Sequence, residues 1–236
     1  MFYRLLKIAL LGPLLRLLFR PKVEGLRNIP GDGPVIIAGN HLAFLDSVFI
    51  PLVVPRDVVF LGKAEYFTGR GVKGRLIAAF FKGAGMIPVD RGNGRGALAA
   101  IQAGQGVLRE GGVFGIHPEG TRSPDGRLYR GKPGVARLAL DSGAPVVPVA
   151  LINTDKIQPM GKRLPRIGKV HIRFGAPLDF TRYGGPTNDR AVLRAITDQV
   201  MYSIMELSGR EYVDVYATTA KQAAAAHALE LEQRAA

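Results

Sequence analysis

The sequence predicts an α/β fold: a mixed, largely parallel central sheet flanked by helices, preceded by an N-terminal pair of amphipathic helices. Three observations predict it. From residue 34 onward, short β-rich apolar runs alternate with helical stretches, the pattern that builds crossover units. The chain has 236 residues, 47% of them hydrophobic and spread along its length, ample for one buried core and unlike a disordered segment. The first twenty residues, MFYRLLKIALLGPLLRLLFR, form its most apolar stretch and carry cations but no acid.

Within those twenty residues the longest uncharged run, Ile8 to Leu15, is interrupted by Gly12-Pro13. A spanning helix needs roughly 20 apolar residues, so this segment does not read as a normal transmembrane helix. A secretory signal fits poorly, because no small-residue cleavage site follows. Arg4 and Lys7 share one helical face, and Arg16 and Arg20 share another. Pro13 predicts a break between the two. Two short helices with Leu and Phe on one side and cations on the other suit a membrane interface, where each cation contributes about 1 kcal/mol near an anionic leaflet. The plainer alternative is a helix packed on the protein's own core. The expected organisation is an interfacial motif over 1–22, an α/β domain over 23–216, and an Ala-rich helix or tail over 217–236.

Strands are expected at Val35–Ala38, Val58–Gly62, Met86–Val89, Val113–Ile116, Val146–Leu151 and Val170–Phe174. Helices are expected around Ser47–Val54, Lys73–Lys82, Arg95–Arg109 and Val135–Asp141. Asn188–Leu207 adds another, with Val192, Ile196, Val200 and Ile204 on one face.

The balance of 32 Lys and Arg against 19 Asp and Glu gives a net charge of +13, which points to anionic partners: nucleic acid, acidic lipid or a phosphorylated small molecule. The cations flank apolar segments and do not interleave with aromatics. No zinc-finger spacing or RNA-recognition signature is present, which argues against nucleic acid. The absence of Cys excludes a disulfide framework, a thiolate metal site and a Cys nucleophile, and fits a reducing compartment.

Four segments carry candidate chemistry. Asn40-His41-Leu42-Ala43-Phe44-Leu45-Asp46 follows a strand, placing an imidazole at the sheet edge where α/β sites form. Asp46 can begin a helix and turn its carboxylate back to His41, fixing the tautomer and stabilising the imidazolium. The alternative at this point is a structural histidine with Asp46 as a helix cap. Ile116-His117-Pro118-Glu119-Gly120-Thr121-Arg122-Ser123 also follows a strand. Its Arg122 offers a donor fork for phosphate, and its His117 could rival His41 as base. Alone, it also reads as a polar turn capped by Glu119. Gly85-Met86-Ile87-Pro88-Val89-Asp90-Arg91 supplies Arg91 as a second phosphate candidate, alternatively a surface ion pair with Asp90. Lys63 ends a further strand and adds a cation. Val146-Val147-Pro148-Val149 reads as core or as the wall of an apolar tunnel. His171 and His227 carry no functional pattern.

In this order, the NHxxxxD and PEGTRS segments, with IPVDR between them and VPV after them, resemble the glycerolipid acyltransferase family across Val35 to Val149. The resemblance implies that His41 is the general base and Asp46 its orienting partner. It implies that Glu119, Gly120, Thr121 and Arg122 form the acceptor-phosphate site, with Arg91 and Lys63 assisting, and that Pro148 lies near the acyl chain. Members often carry Phe where His117 stands. The implied reaction moves a fatty acyl chain from acyl-CoA or acyl carrier protein to a hydroxyl of 1-acylglycerol 3-phosphate (lysophosphatidate), forming phosphatidate. Glycerol 3-phosphate or a glycolipid is the alternative acceptor, and a non-catalytic lipid-surface binding module is the alternative class. No metal, cofactor or acyl-enzyme is expected. The expected location is peripheral or monotopic, on an anionic membrane surface at the cytoplasmic face.

Overall fold

The structure, a computed structural model, describes residues 11–83, 85–89, 95–162 and 164–235. Its centre is a seven-stranded sheet in the order β1-β8-β7-β2-β5-β3-β4. The strands are β1 Lys22–Glu24, β2 Val35–Gly39, β3 Val58–Lys63, β4 Met86–Val89, β5 Val113–Ile116, β7 Val146–Ile152 and β8 His171–Phe174. The five from β7 to β4 run parallel. β8 pairs antiparallel to β7, and β1 parallel to β8, so one edge runs opposite to the rest. A separate two-stranded sheet pairs β6 Leu128–Tyr129 with β9 Tyr212–Val213.

Crossover handedness decides which helix covers which face. β2 to β3 through α2 (Asp46–Val53), and β3 to β4 through α3 (Gly71–Gly83), both step toward the β4 edge. Right-handed connections put α2 and α3 on one face. The chain then reverses through α4 (Arg95–Arg109) and α5 (Gly134–Ser142), which cover the other. α1 (Leu11–Phe19) joins the first layer: Leu15 and Phe19 are buried in it, and Phe19 meets Phe49 of α2 edge to face at 5.3 Å. α7 (Arg190–Ser208) joins the second, where Leu193, Ile196, Val200 and Ile204 pack with Phe114 and Leu138. A short α6 (Thr154–Ile157) follows β7, and α8 (Ala217–Ala235) follows β9.

β2 is buried along its whole length and β7 along all but its last residue, as expected of parallel strands covered on both faces. Of the two interfacial helices expected, the first lies outside the described residues. The second is α1, with Pro13 as its third residue. α1 buries Leu15 and Phe19 yet leaves Leu14 and Leu17 exposed. Among the described residues no helix is long and apolar enough to cross a membrane.

Candidate active site

Parallel strands end together, so the loops leaving β2 and β5 meet at one sheet edge. β2 stops in an unusual way. The buried Asn40 side chain donates to the Leu151 carbonyl at 3.0 Å and accepts from the Leu151 N–H at 2.7 Å. Its amide thus replaces one rung of the β2–β7 ladder, and the backbone can leave the sheet at His41.

His41 is gripped through its backbone by the loop after β5. Its N–H donates to Glu119 Oε2 at 2.9 Å, and its carbonyl accepts from Ser123 N–H at 2.7 Å. Its Nδ1 lies 3.0 Å from Asp46 Oδ2. The same oxygen accepts from the N–H groups of Leu42 at 2.6 Å and Ala43 at 2.7 Å. Asp46 is the first residue of α2 and fully buried. An acceptor-only oxygen facing Nδ1 fixes the proton there, leaving the lone pair on Nε2. Burial raises Asp46 to about 6, against the pull of its donors. Thr154 also favours the anion, yet neither Asp46 Oδ1 nor Thr154 Oγ1 completes a hydrogen bond.

His117 stacks on His41, with centroids 4.0 Å apart and planes 5° apart, and lies on Phe60 at 5.3 Å. Its Nδ1 faces the Gly39 carbonyl at 3.0 Å and its Nε2 faces Ser47 Oγ at 3.1 Å. A carbonyl only accepts, so Nδ1 carries the proton and Nε2 accepts from the Ser47 hydroxyl. Burial, then the charge of His41, push its pKa down to about 3. Both nitrogens of His117 are thus engaged, by Gly39 and Ser47, and the ring beside His41 is held neutral. The stack needs Gly115: a methyl there would sit 2.2 Å from the Phe60 ring.

Glu119 turns inward, fully buried, with its second oxygen accepting from Tyr129 N–H at 2.9 Å. It therefore ties β6 to the His41 backbone, a bracing position with neither oxygen directed at solvent. Burial raises its pKa to about 7. Gly120, at φ +72, makes the turn that brings Thr121 and Arg122 to the surface.

Two cations missed in the sequence converge here. The Lys132 side chain crosses Gly120, where an added methyl would come within 3.1 Å of its Cδ. Lys221, from α8, donates to Thr121 Oγ1 at 2.8 Å. Burial and the neighbouring Arg122 charge lower the Lys221 pKa, while Glu119 opposes them. Among the described residues, Arg122, Lys132 and Lys221 make no ion pair. Lys63 is exposed at the end of β3, in register with Val89 of β4. Arg91 lies outside the described residues. Pro148 sits in mid-β7, sharing the space over Gly175 with Leu207 of α7. No cluster of three or more His, Asp or Glu suited to a metal occurs among the described residues.

A family model described as Acyltransferase matches residues 20–152, the span holding β1 to β7 and both gripping loops. The chain belongs to the acyltransferase family. The chain is 31% identical over 194 residues to the 1-acyl-sn-glycerol-3-phosphate acyltransferase of Bacillus subtilis, covering 80% of this chain and 88% of the relative. It is 32% identical over 162 residues to the chloroplastic 1-acyl-sn-glycerol-3-phosphate acyltransferase of Arabidopsis thaliana, covering 68% of this chain but 44% of that relative. The chain thus spans less than half the length of the plant protein. The crystal structure of the 1-acyl-sn-glycerophosphate acyltransferase PlsC from Thermotoga maritima superposes with a TM-score of 0.59 at 29% identity, covering 79% of this chain and 71% of that one.

Proposed function

We propose that this chain transfers a fatty acyl group from an acyl thioester to the hydroxyl of 1-acylglycerol 3-phosphate, forming phosphatidate on a membrane surface. One observation carries the reading. The loop that holds His41 through both its N–H and its carbonyl also carries Arg122, and Lys132 and Lys221 converge on that loop. The base and the cations for a phosphate monoester are thereby fixed relative to each other.

In the proposed reaction His41 Nε2 takes the proton of the acceptor hydroxyl as its oxygen attacks the thioester carbonyl. Asp46 stabilises the imidazolium that forms, and the stacked neutral His117 adds no second positive charge beside it. Collapse of the tetrahedral intermediate breaks the carbon–sulfur bond, and the imidazolium returns its proton to the departing thiolate. General-base help of this kind contributes about 10²–10⁴-fold, and fixing the acceptor phosphate supplies further rate through positioning. Arg122, Lys132 and Lys221, with Lys63 and Arg91 as further candidates, would hold the phosphate so that the lipid hydroxyl, not water, meets His41. The names of the Bacillus and Thermotoga proteins support lysophosphatidate as acceptor.

The test is thiol release from palmitoyl-CoA by detergent-solubilised protein, with lysophosphatidate, with glycerol 3-phosphate, or with neither, for wild type and His41→Ala. Release that requires lysophosphatidate and His41 is expected. Release that requires glycerol 3-phosphate instead would reassign the acceptor. Acceptor-independent release, or release unchanged in His41→Ala, would refute the mechanism.

A further inference from the structure

The face of the sheet that carries α1, α2 and α3 differs from the other in charge and polarity. The sequence holds no acid from Leu11 to Val23, from Tyr66 to Val89, or from Lys156 to Arg173, and these segments supply α1, α3 and the loop after α6. In the opposite layer α5 carries Asp141 and α7 carries Asp198 and Glu206, while α4 has no acid.

α3 is the extreme case. It touches the body through Gly74, Ala78 and Phe81, spaced as one helical stripe. Its outward side holds Val72 at 75% exposed and Leu76 at 67%, one turn apart, beside Ile77 at 38%. Arg70, Lys73, Arg75 and Lys82 surround them, all exposed. An outward apolar ridge edged by cations alone is the inverse of a solvated helix face, and it complements an anionic lipid surface. Leu14 and Leu17 of α1 stand exposed on the same layer.

The inner side of α3 is joined to the site. Phe81 packs on Tyr66 at 4.6 Å and meets Phe44 at 5.9 Å. Phe44 belongs to the loop between His41 and Asp46. We propose that α3 is a bilayer-contact element in its own right: Val72, Leu76 and Ile77 enter the lipid interface, the surrounding cations bind anionic headgroups, and the loop bearing His41 faces the membrane plane. This rests on the reading above that the acceptor is a membrane lipid. It explains how a lysolipid could pass to the base laterally, without first leaving the bilayer.

The chain contains no Trp, so one introduced indole reports one position. Leu76→Trp and, on α4 of the opposite face, Leu98→Trp are mixed with vesicles of three parts phosphatidylcholine to one part phosphatidylglycerol, with and without brominated acyl chains. Emission from Leu76→Trp should shift to the blue and be quenched by bromine, and emission from Leu98→Trp should do neither. Equal behaviour at the two positions, or no shift at either, overturns the proposal. The double variant Val72→Glu/Leu76→Glu should bind these vesicles at least about tenfold more weakly. It should keep thiol release with detergent-dispersed lysophosphatidate within about threefold of wild type, since α3 makes no contact with the reacting groups. Loss of turnover in detergent would instead mark α3 as a support of the fold and overturn the proposal. Absence of turnover in the wild type would defeat the acyltransferase reading alone, because the fluorescence result does not depend on catalysis.

Discussion

Asp46→Asn separates catalysis from folding at the centre of the site. Three donors, from His41, Leu42 and Ala43, converge on one carboxylate oxygen. An asparagine must place its carbonyl oxygen there, so the His41 tautomer is retained. Its amide nitrogen then takes the place of Oδ1, beside the Thr154 hydroxyl that now completes no hydrogen bond, and can donate to it. Stability should therefore survive. Burial raises Asp46 from 3.8 to about 6, so the folded protein resists losing a proton that the unfolded chain gives up. Wild-type stability consequently falls between those pH values, by about 3 kcal/mol, and the neutral asparagine escapes that loss. At pH 8 the variant should melt at or above the wild-type temperature. Catalysis should not survive intact. With charge centres about 4 Å apart and an effective dielectric constant of about 20, a full imidazolium–carboxylate pair is worth about 4 kcal/mol. A proton about half transferred in the transition state uses about half of that, which predicts a kcat about 30-fold lower. A serine-protease triad that loses the tautomer as well falls by about 10⁴, and the retained tautomer sets the smaller figure here. Thermal denaturation and thiol release on one preparation decide the matter. A collapsed melting temperature, or activity within about threefold of wild type, would refute the argument.

Glu119→Ala should cost about 2–5 kcal/mol in denaturant unfolding, because it orphans the His41 and Tyr129 N–H groups; a loss confined to acceptor binding with full stability would contradict the bracing role. His117→Phe keeps the ring stack and removes a group that stays neutral above about pH 3, so the pH–rate profile between about 5.5 and 9 should not move; a displaced limb would show that His117 titrates during turnover. Lys132→Ala and Lys221→Ala should each raise the KM for lysophosphatidate about tenfold with kcat nearly unchanged, a uniform loss of phosphate binding; an equal fall in kcat would place them nearer the reacting atoms. Gly115→Ala should destabilise by about 1–3 kcal/mol, since Phe60 must leave its place over that residue, and a lowered kcat should accompany it as the stack on His117 loosens.

The strands of the central sheet were legible wherever they were long enough to bury a run of side chains. β2, β3, β4, β5 and β7 lie within a residue of the expected bounds. β6 and β9 have two residues each and β1 three, too few for an alternation to register, and their partners lie far along the chain. His41 and Asp46 were legible for the opposite reason. Five residues apart, with the carboxylate opening a helix, they meet by local geometry alone. Glu119 looks in sequence like part of a ligand-facing turn. Its carboxylate is turned inward by two backbone donors, on His41 and Tyr129, that nothing nearby in the chain reveals. Lys221 sits in an Ala-rich helix with little amphipathic signal and reaches Thr121 across 100 residues, a juxtaposition no spacing rule encodes. The His117 stack needed the positions of β2, β3 and β5 together.

The two halves of this site are held in place by very different means. His41 and Asp46 are fixed by β2 and α2, among the most buried segments of the fold. Lys221 is carried by α8, which buries only Ala217 among its described side chains. Segments with little buried apolar surface open first, long before the molecule unfolds as a whole. On the proposed mechanism, a molecule whose α8 has lifted away would keep His41 as its base and lose one of the cations that would select a lipid hydroxyl over water. Warming or mild denaturant should then shift the product from phosphatidate toward free fatty acid while total thiol release persists. The fidelity of the reaction would fail before its speed does.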